Sequence, residues 1–162
     1  MQDAQLEQLS RRTGRLLYDR SLSMVAAESC TGGWIAKLMT DIPGSSQWFE
    51  RGFVTYSNQA KMEMLGVRAD SLEHFGAVSE RVVREMVAGA LARSHAQVAV
   101  AVSGIAGPEG GSELKPVGTV WLAWADAKGV RAERRWFPGN REEVRRQTVI
   151  HALQALGDSL EQ

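Results

Sequence analysis

Residues 23–39 read SMVAAESCTGGWIAKLM, and the fold class is decided there. The run Ser23 to Ala27 is short and apolar, as a buried strand is. Trp34, Ile35, Leu38 and Met39 then recur at helical spacing, and Thr31 is expected to cap that helix. Strand, glycine turn and helix form the opening unit of an α/β sheet, in which ligands bind outside the carboxyl ends of the strands. Ser29 is therefore expected at such an end. The amides of the helix start can hold a phosphate or a developing oxyanion. Gly32 and Gly33 allow close backbone approach. An ordinary capped turn has the same spacing, so this stretch alone fixes the fold class and not the chemistry.

Working outward, Leu6, Leu9, Leu16 and Leu17 predict a helix over about 3–20. Pro43, Gly44 and Ser45 predict a turn, followed by a short helical piece around Trp48 and Phe49. Gly52 to Tyr56, GFVTY, reads as a strand. Ser57 or Asn58 is expected to cap a helix carrying Ala60, Lys61, Met64 and Leu65, with a connector around His74. Ser79 to Ser94 is the clearest amphipathic helix, and Gln97 to Val102 a strongly apolar strand. Thr119–Ala125 and Val130–Phe137 predict a hairpin, and Glu142–Leu160 a closing helix. Strands and helices alternate before the hairpin. The expected fold is therefore a three-layer α/β/α domain over residues 1–162, with a mixed sheet and helices on both faces.

Composition narrows the function. Nineteen basic and nineteen acidic side chains cancel, which gives no electrostatic case for nucleic acid or an anionic membrane. A single cysteine excludes an internal disulfide and a multi-cysteine metal site. No apolar run approaches the roughly 18 residues of a membrane span. The charged N-terminus, MQDAQLEQLSRRTGR, lacks a signal-peptide core, so a cytoplasmic location is expected.

Two candidate nucleophiles stand side by side, Ser29 and Cys30. A catalytic cysteine needs a cationic neighbour, but His74, His95 and His151 sit in no motif. A serine without histidine needs another base. TYSNQAK, residues 55–61, supplies one: Ser57 and Lys61 are spaced i, i+4 on one helix face, with Tyr56 just before them. Lysine can deprotonate serine only if burial or nearby cations, such as an arginine, lower its pKa from about 10.4. Taken alone, Lys61 reads as an exposed helix lysine.

Residues 103–118, SGIAGPEGGSELKPVG, hold five glycines and two prolines, too many for a simple connector. Their amides can cradle a phosphate, although no Walker or dinucleotide fingerprint is present. Arg141 and Arg145 open the last helix one turn apart and suit a phosphate or carboxylate, or simply a solvated helix start.

Together AESCTGG (27–33), YSNQAK (56–61), GAVSE (76–80), SGIAGPEGG (103–111), KPVGTV (115–120) and REEVRRQ (141–147) resemble the CinA C-terminal-domain family, in family order over about residues 5–157. The likeness is to its stand-alone nicotinamide-nucleotide amidase members. It implies hydrolysis of the carboxamide of nicotinamide mononucleotide to nicotinic acid mononucleotide and ammonia, in pyridine nucleotide salvage. The family's nucleophile falls on Ser29 and its lysine on Lys61, with Tyr56 beside them as a third catalytic group. Thr31, Gly32, Gly33, Ser57, Ser103, Gly104, Arg141 and Arg145 are expected to line the substrate. Ser103 replaces a common threonine and keeps the hydroxyl. Asn140 replaces a common aspartate. No cofactor or metal is implied, and a homodimer or other homo-oligomer is expected. A nucleotide-binding module without catalysis, and an amidase of another pyridine nucleotide, are the alternatives.

Overall fold

A computed structural model describes residues 2–162. In chain order the elements are α1 (Gln2–Asp19), β1 (Met24–Glu28), α2 (Trp34–Thr40), a 3-10 turn (Ser45–Gln47), β2 (Phe49–Val54) and α3 (Asn58–Leu65). They continue with α4 (Ala69–Phe75), α5 (Glu80–Ala92), β3 (Val98–Gly104), β4 (Thr119–Asp126), β5 (Gly129–Trp136) and α6 (Arg141–Glu161). The strands form one mixed sheet in the order β2-β1-β3-β4-β5. β1 runs parallel to β2 and β3, whereas β4 is antiparallel to both β3 and β5. The carboxyl ends of β1, β2 and β3 therefore lie at one edge of the sheet, and the candidate residues 28–33, 55–61 and 103–107 emerge there.

The three layers follow from side-chain alternation with period two. Met24, Ala26, Val98, Val100, Val102, Val120, Leu122 and Trp124 point to one face, where they pack with buried residues of α1, α2 and α6. Val25, Ala27, Ala99, Ala101, Ala123 and Ala125 point to the other. That face is mostly alanine, which leaves room for Val82, Val83, Met86 and Val87 of α5 to sit close to the sheet. α5 begins as its sequence predicts, with the Ser79 hydroxyl accepting from the Val82 amide at 3.3 Å. α6 begins with a reciprocal capping box between Asn140 and Glu143. Asparagine caps as well as aspartate, so the departure at position 140 costs the helix nothing.

Several local expectations are corrected. Residues 69–75, expected as a connector, form α4. The helix is short and only Ser71 and Leu72 are buried, too little for a visible stripe. The 3-10 turn ends before Trp48, and Phe49 already belongs to β2, because the Trp48 carbonyl accepts from the Met24 amide and joins the two strands there. Tyr56 lies beyond the strand, for a reason that belongs to the site. Thr31 does not cap α2: left-handed Gly33 (φ 103°) occupies the cap position, with no side-chain cap bond.

Gly89 of α5 supports the C-terminal end of α3, the helix that carries Lys61. A Cβ there would come within 1.9 Å of the Leu65 carbonyl oxygen. Gly→Ala inside a helix ordinarily stabilises by about 1 kcal/mol. Here the sign should reverse, with Gly89→Ala costing about 1–3 kcal/mol of overpacking. Equilibrium denaturation checks this, and an unchanged or raised midpoint would contradict the packing.

Candidate active site

β1 delivers Ser29 to the edge of the sheet. The Ser29 amide donates to the Val102 carbonyl at 3.1 Å, so the residue is tied to β3 although β1 has ended. The turn that follows is built around a buried acid. Glu28, fully buried, accepts from the Thr31 hydroxyl (2.6 Å) and from the amides of Ile35 (2.9 Å) and Ala36 (3.0 Å). Its carboxylate thus satisfies the orphan donors at the start of α2 and complements the helix dipole. The Ile35 and Ala36 amides, open in the sequence to a phosphate or a developing oxyanion, are therefore already occupied by the Glu28 side chain. Gly32 (φ 62°) and Gly33 (φ 103°) sit in the left-handed region, so the turn itself requires glycine.

α3 brings the second group. The Ser57 hydroxyl caps it, accepting from the Ala60 amide at 3.0 Å. One turn on, Lys61 is 1% exposed and is the largest fully buried side chain among the described residues. Its Nζ lies 3.0 Å from Ser29 Oγ, 2.9 Å from the Thr55 carbonyl and 3.1 Å from the Tyr56 carbonyl. No carboxylate lies within 4.0 Å of it among the described residues. Two carbonyls can only accept, whereas a hydroxyl can accept or donate. A neutral amine satisfies this set completely: two N–H groups to the carbonyls and a lone pair toward the serine hydroxyl. Burial pushes Lys61 below its ordinary 10.5. Across the window from that lowered value up to 10.5 the unfolded chain holds the extra proton, so stability rises with pH there. The expected repulsion from an arginine has no part in the shift.

Cys30 is buried, and desolvation pushes its thiol up to about 12. That is the reverse of what a nucleophilic cysteine requires.

The remaining candidates divide. Tyr56 contributes its carbonyl to Lys61, but the residue is 63% exposed and its hydroxyl contacts Arg141 at 3.2 Å. Its side chain is not among the contacts of Ser29 or Lys61. Arg141 also donates to the Gly107 carbonyl at 2.9 Å, bridging the glycine loop to Tyr56 at the rim. Arg145 donates from Nε to the Cys30 carbonyl at 2.9 Å and from Nη2 to the Thr31 carbonyl at 3.2 Å. Its guanidinium is thus engaged by the nucleophile turn. Ser103 is buried with its hydroxyl donated to the Ala77 carbonyl at 2.9 Å. At Gly104 a Cβ would meet Val120 at 2.6 Å, so glycine there serves the β3–β4 pairing. The histidines lie elsewhere: His74 contacts the Asp70 carbonyl, and His151 contacts Glu133.

Two residues escaped sequence reasoning. Glu28 carried a signal, an acid closing an otherwise apolar strand just before a helix. Thr55 carried none, because its part is played by a backbone carbonyl.

Glu28→Gln tests the turn. Its amide group would have to face an N–H or hydroxyl donor, leaving a buried pair unsatisfied. A loss of about 1–3 kcal/mol in denaturation is expected, and full stability would contradict the capping role.

Comparisons with known proteins give the family. The family model described as CinA C-terminal domain matches residues 6–160. The nicotinamide-nucleotide amidohydrolase PncC of Escherichia coli strain K12 is 59% identical over 157 residues, covering 96% of this chain and 95% of that protein. The protein of the same name from Pseudomonas putida is 57% identical over 148 residues, covering 91% and 92%. The crystal structure of competence/damage inducible protein CihA from Agrobacterium tumefaciens superposes with a TM-score of 0.93 at 48% identity, covering 98% and 96%. With the matched model and these relatives spanning nearly its whole length, the chain belongs to the CinA C-terminal domain family.

Proposed function

We propose that this chain is a single amidase domain that hydrolyses the carboxamide of nicotinamide mononucleotide, releasing ammonia and nicotinic acid mononucleotide. The observation that carries the reading is the 3.0 Å contact between Ser29 Oγ and a buried Lys61 Nζ whose other partners are two carbonyls. The PncC relatives, named for this activity, support the choice of substrate. No described helix is long and apolar enough to cross a membrane. A water-soluble enzyme of the cytoplasm, working as a homo-oligomer, fits the reading.

Neutral Lys61 accepts the Ser29 proton as Oγ attacks the carboxamide carbon. The cationic pyridinium of the nucleotide withdraws electrons from that carbon and so favours attack. The carbonyl oxygen becomes an oxyanion beside the amides of the nucleophile turn. The Lys61 ammonium then protonates the leaving nitrogen, the C–N bond breaks, and ammonia departs from an ester on Ser29. Water, deprotonated by Lys61, attacks the ester. Nicotinic acid mononucleotide leaves, and the hydroxyl of Ser29 is regenerated. Arg141, at the rim beside the glycine loop, is the proposed phosphate contact; no carboxylate lies within 4.0 Å of it among the described residues.

Ammonia release from the mononucleotide, its phosphate-free riboside, the dinucleotide and free nicotinamide tests the substrate. Activity is expected to be highest on the mononucleotide. Release from none of them would leave a binding module, and preference for the dinucleotide would identify a different amidase. Ser29→Ala should lose roughly 10⁴–10⁶-fold in kcat, whereas Cys30→Ala should keep most activity. The reverse pattern would move the nucleophile to Cys30.

Because neutral Lys61 is the active form, activity should rise with pH to a plateau through a midpoint below 10.5. Lys61→Arg should be nearly inactive, since a guanidinium stays protonated. A Lys61→Arg enzyme that keeps its rate would reduce Lys61 to an electrostatic partner. Arg141→Ala should raise KM for the mononucleotide more than for the riboside, and equal effects on the two would place phosphate recognition elsewhere.

A further inference from the structure

Arg145 has a guanidinium that the proposed chemistry does not use and that is engaged away from the rim. Suited by its position to a phosphate or carboxylate, it instead spends two donors on the carbonyls of Cys30 and Thr31, at 2.9 and 3.2 Å. It lies over the Trp34 ring, 5.8 Å from the centroid, which helps to fix its plane. It also approaches the turn so closely that a Cβ on Gly32 would come within 3.3 Å of its Nη2. No carboxylate lies within 4.0 Å of it among the described residues, so its charge is directed at the turn and not neutralised by an ion pair.

The geometry points to Arg145 as a positioning residue that sets the oxyanion hole. This rests on the amidase reading with Ser29 as nucleophile. In a trans peptide the C=O and the next N–H point in opposite directions. Three successive peptide units after Ser29 are pinned by their carbonyls. The Ser29 carbonyl accepts from the Gly32 amide at 3.1 Å. The Cys30 carbonyl accepts from Arg145, and the Thr31 carbonyl from Arg145 and from the Trp34 amide at 3.1 Å. Pinning the Ser29 and Cys30 carbonyls turns the Cys30 and Thr31 amides the opposite way. Among the described residues neither amide donates to another residue's backbone or side chain. These are the two N–H groups immediately after the nucleophile, and they are left for the oxygen of the tetrahedral intermediate. Without Arg145 nothing else among the described contacts holds the Cys30 carbonyl, and that peptide is free to rotate its N–H out of the site. Glu28 clamps the same turn from the other side, through the Thr31 hydroxyl and the first amides of α2.

The test is steady-state kinetics of Arg145→Gln and Arg145→Lys on nicotinamide mononucleotide and on its riboside, with the pH profile of kcat. Loss of oxyanion stabilisation costs about 10²–10³-fold in kcat per donor. Arg145→Gln is expected to lose that much on both substrates, with KM for each within about twofold of wild type and an unchanged pH midpoint. Arg145→Lys, which can still reach one carbonyl, should fall between the two. An unchanged kcat in Arg145→Gln would overturn the proposal. So would a KM increase confined to the mononucleotide, which would make Arg145 a phosphate contact. A joint shift of kcat, KM and pH midpoint, or failure of both variants to fold, would make it a structural residue. Wild-type protein that releases no ammonia from the mononucleotide would sink the amidase reading and this proposal together. Active wild type with an indifferent Arg145→Gln would sink this proposal alone.

Discussion

The site depends on the burial of one amine without a counter-ion. Lys61 is enclosed against Ser29 Oγ and the carbonyls of Thr55 and Tyr56. A buried ammonium with no carboxylate partner is costly, and the group responds by giving up its proton more readily. The serine hydroxyl is the adaptable member of the set. It donates to the amine and accepts from the ammonium, so both protonation states find three partners. A carboxylate in place of either carbonyl would hold the proton on Lys61 and stop the chemistry.

The rest of the fold follows from keeping that contact at 3.0 Å. Ser29 hangs on β1 and is tied to β3, while Lys61 sits on α3, which is capped by Ser57 and rests against Gly89 of α5. The alanine face of the sheet lets α5 approach, and α5 in turn supports α3. The withdrawal of the Thr55 and Tyr56 carbonyls from any strand pairing, so that they can accept from Lys61, accounts for the early end of β2. The nucleophile turn is held on both sides, by Glu28 through the Thr31 hydroxyl and the first amides of α2 and by Arg145 through the Cys30 and Thr31 carbonyls. Rigidity of this kind serves preorganisation, in which donors are aimed before the charge develops.

Much of this was legible in the chain. Strand-turn-helix at 23–39, the Ser79 cap and the 119–137 hairpin are strong local signals, and each gave its element within a few residues. α4 was not legible because two buried positions in seven residues make no period. The pairing of Ser29 with Lys61 came from the family resemblance and the lack of a histidine motif, since Lys61 taken alone looks like a solvated helix lysine. Glu28 leaves a trace in the sequence as an acid closing an apolar strand, but the partners of Glu28, Thr55 and Arg145 do not. They are set by backbone carbonyls and amides, which every residue carries, and only the fold says which ones are left without partners. For the same reason the spacing at the start of α2 leaves a phosphate, an oxyanion and a plain capped turn all open: nothing in it shows that Glu28 folds back onto the helix.

Lys61 loses its proton more readily than an ordinary lysine because it is buried beside Ser29. A direct NMR titration of side-chain-labelled lysine, with the Lys61 signal assigned through its loss in Lys61→Arg, measures this without reference to activity. One lysine is expected to titrate below 10.5, with a signal that also responds to Ser29→Ala. A Lys61 that titrates at or above 10.5 would contradict it.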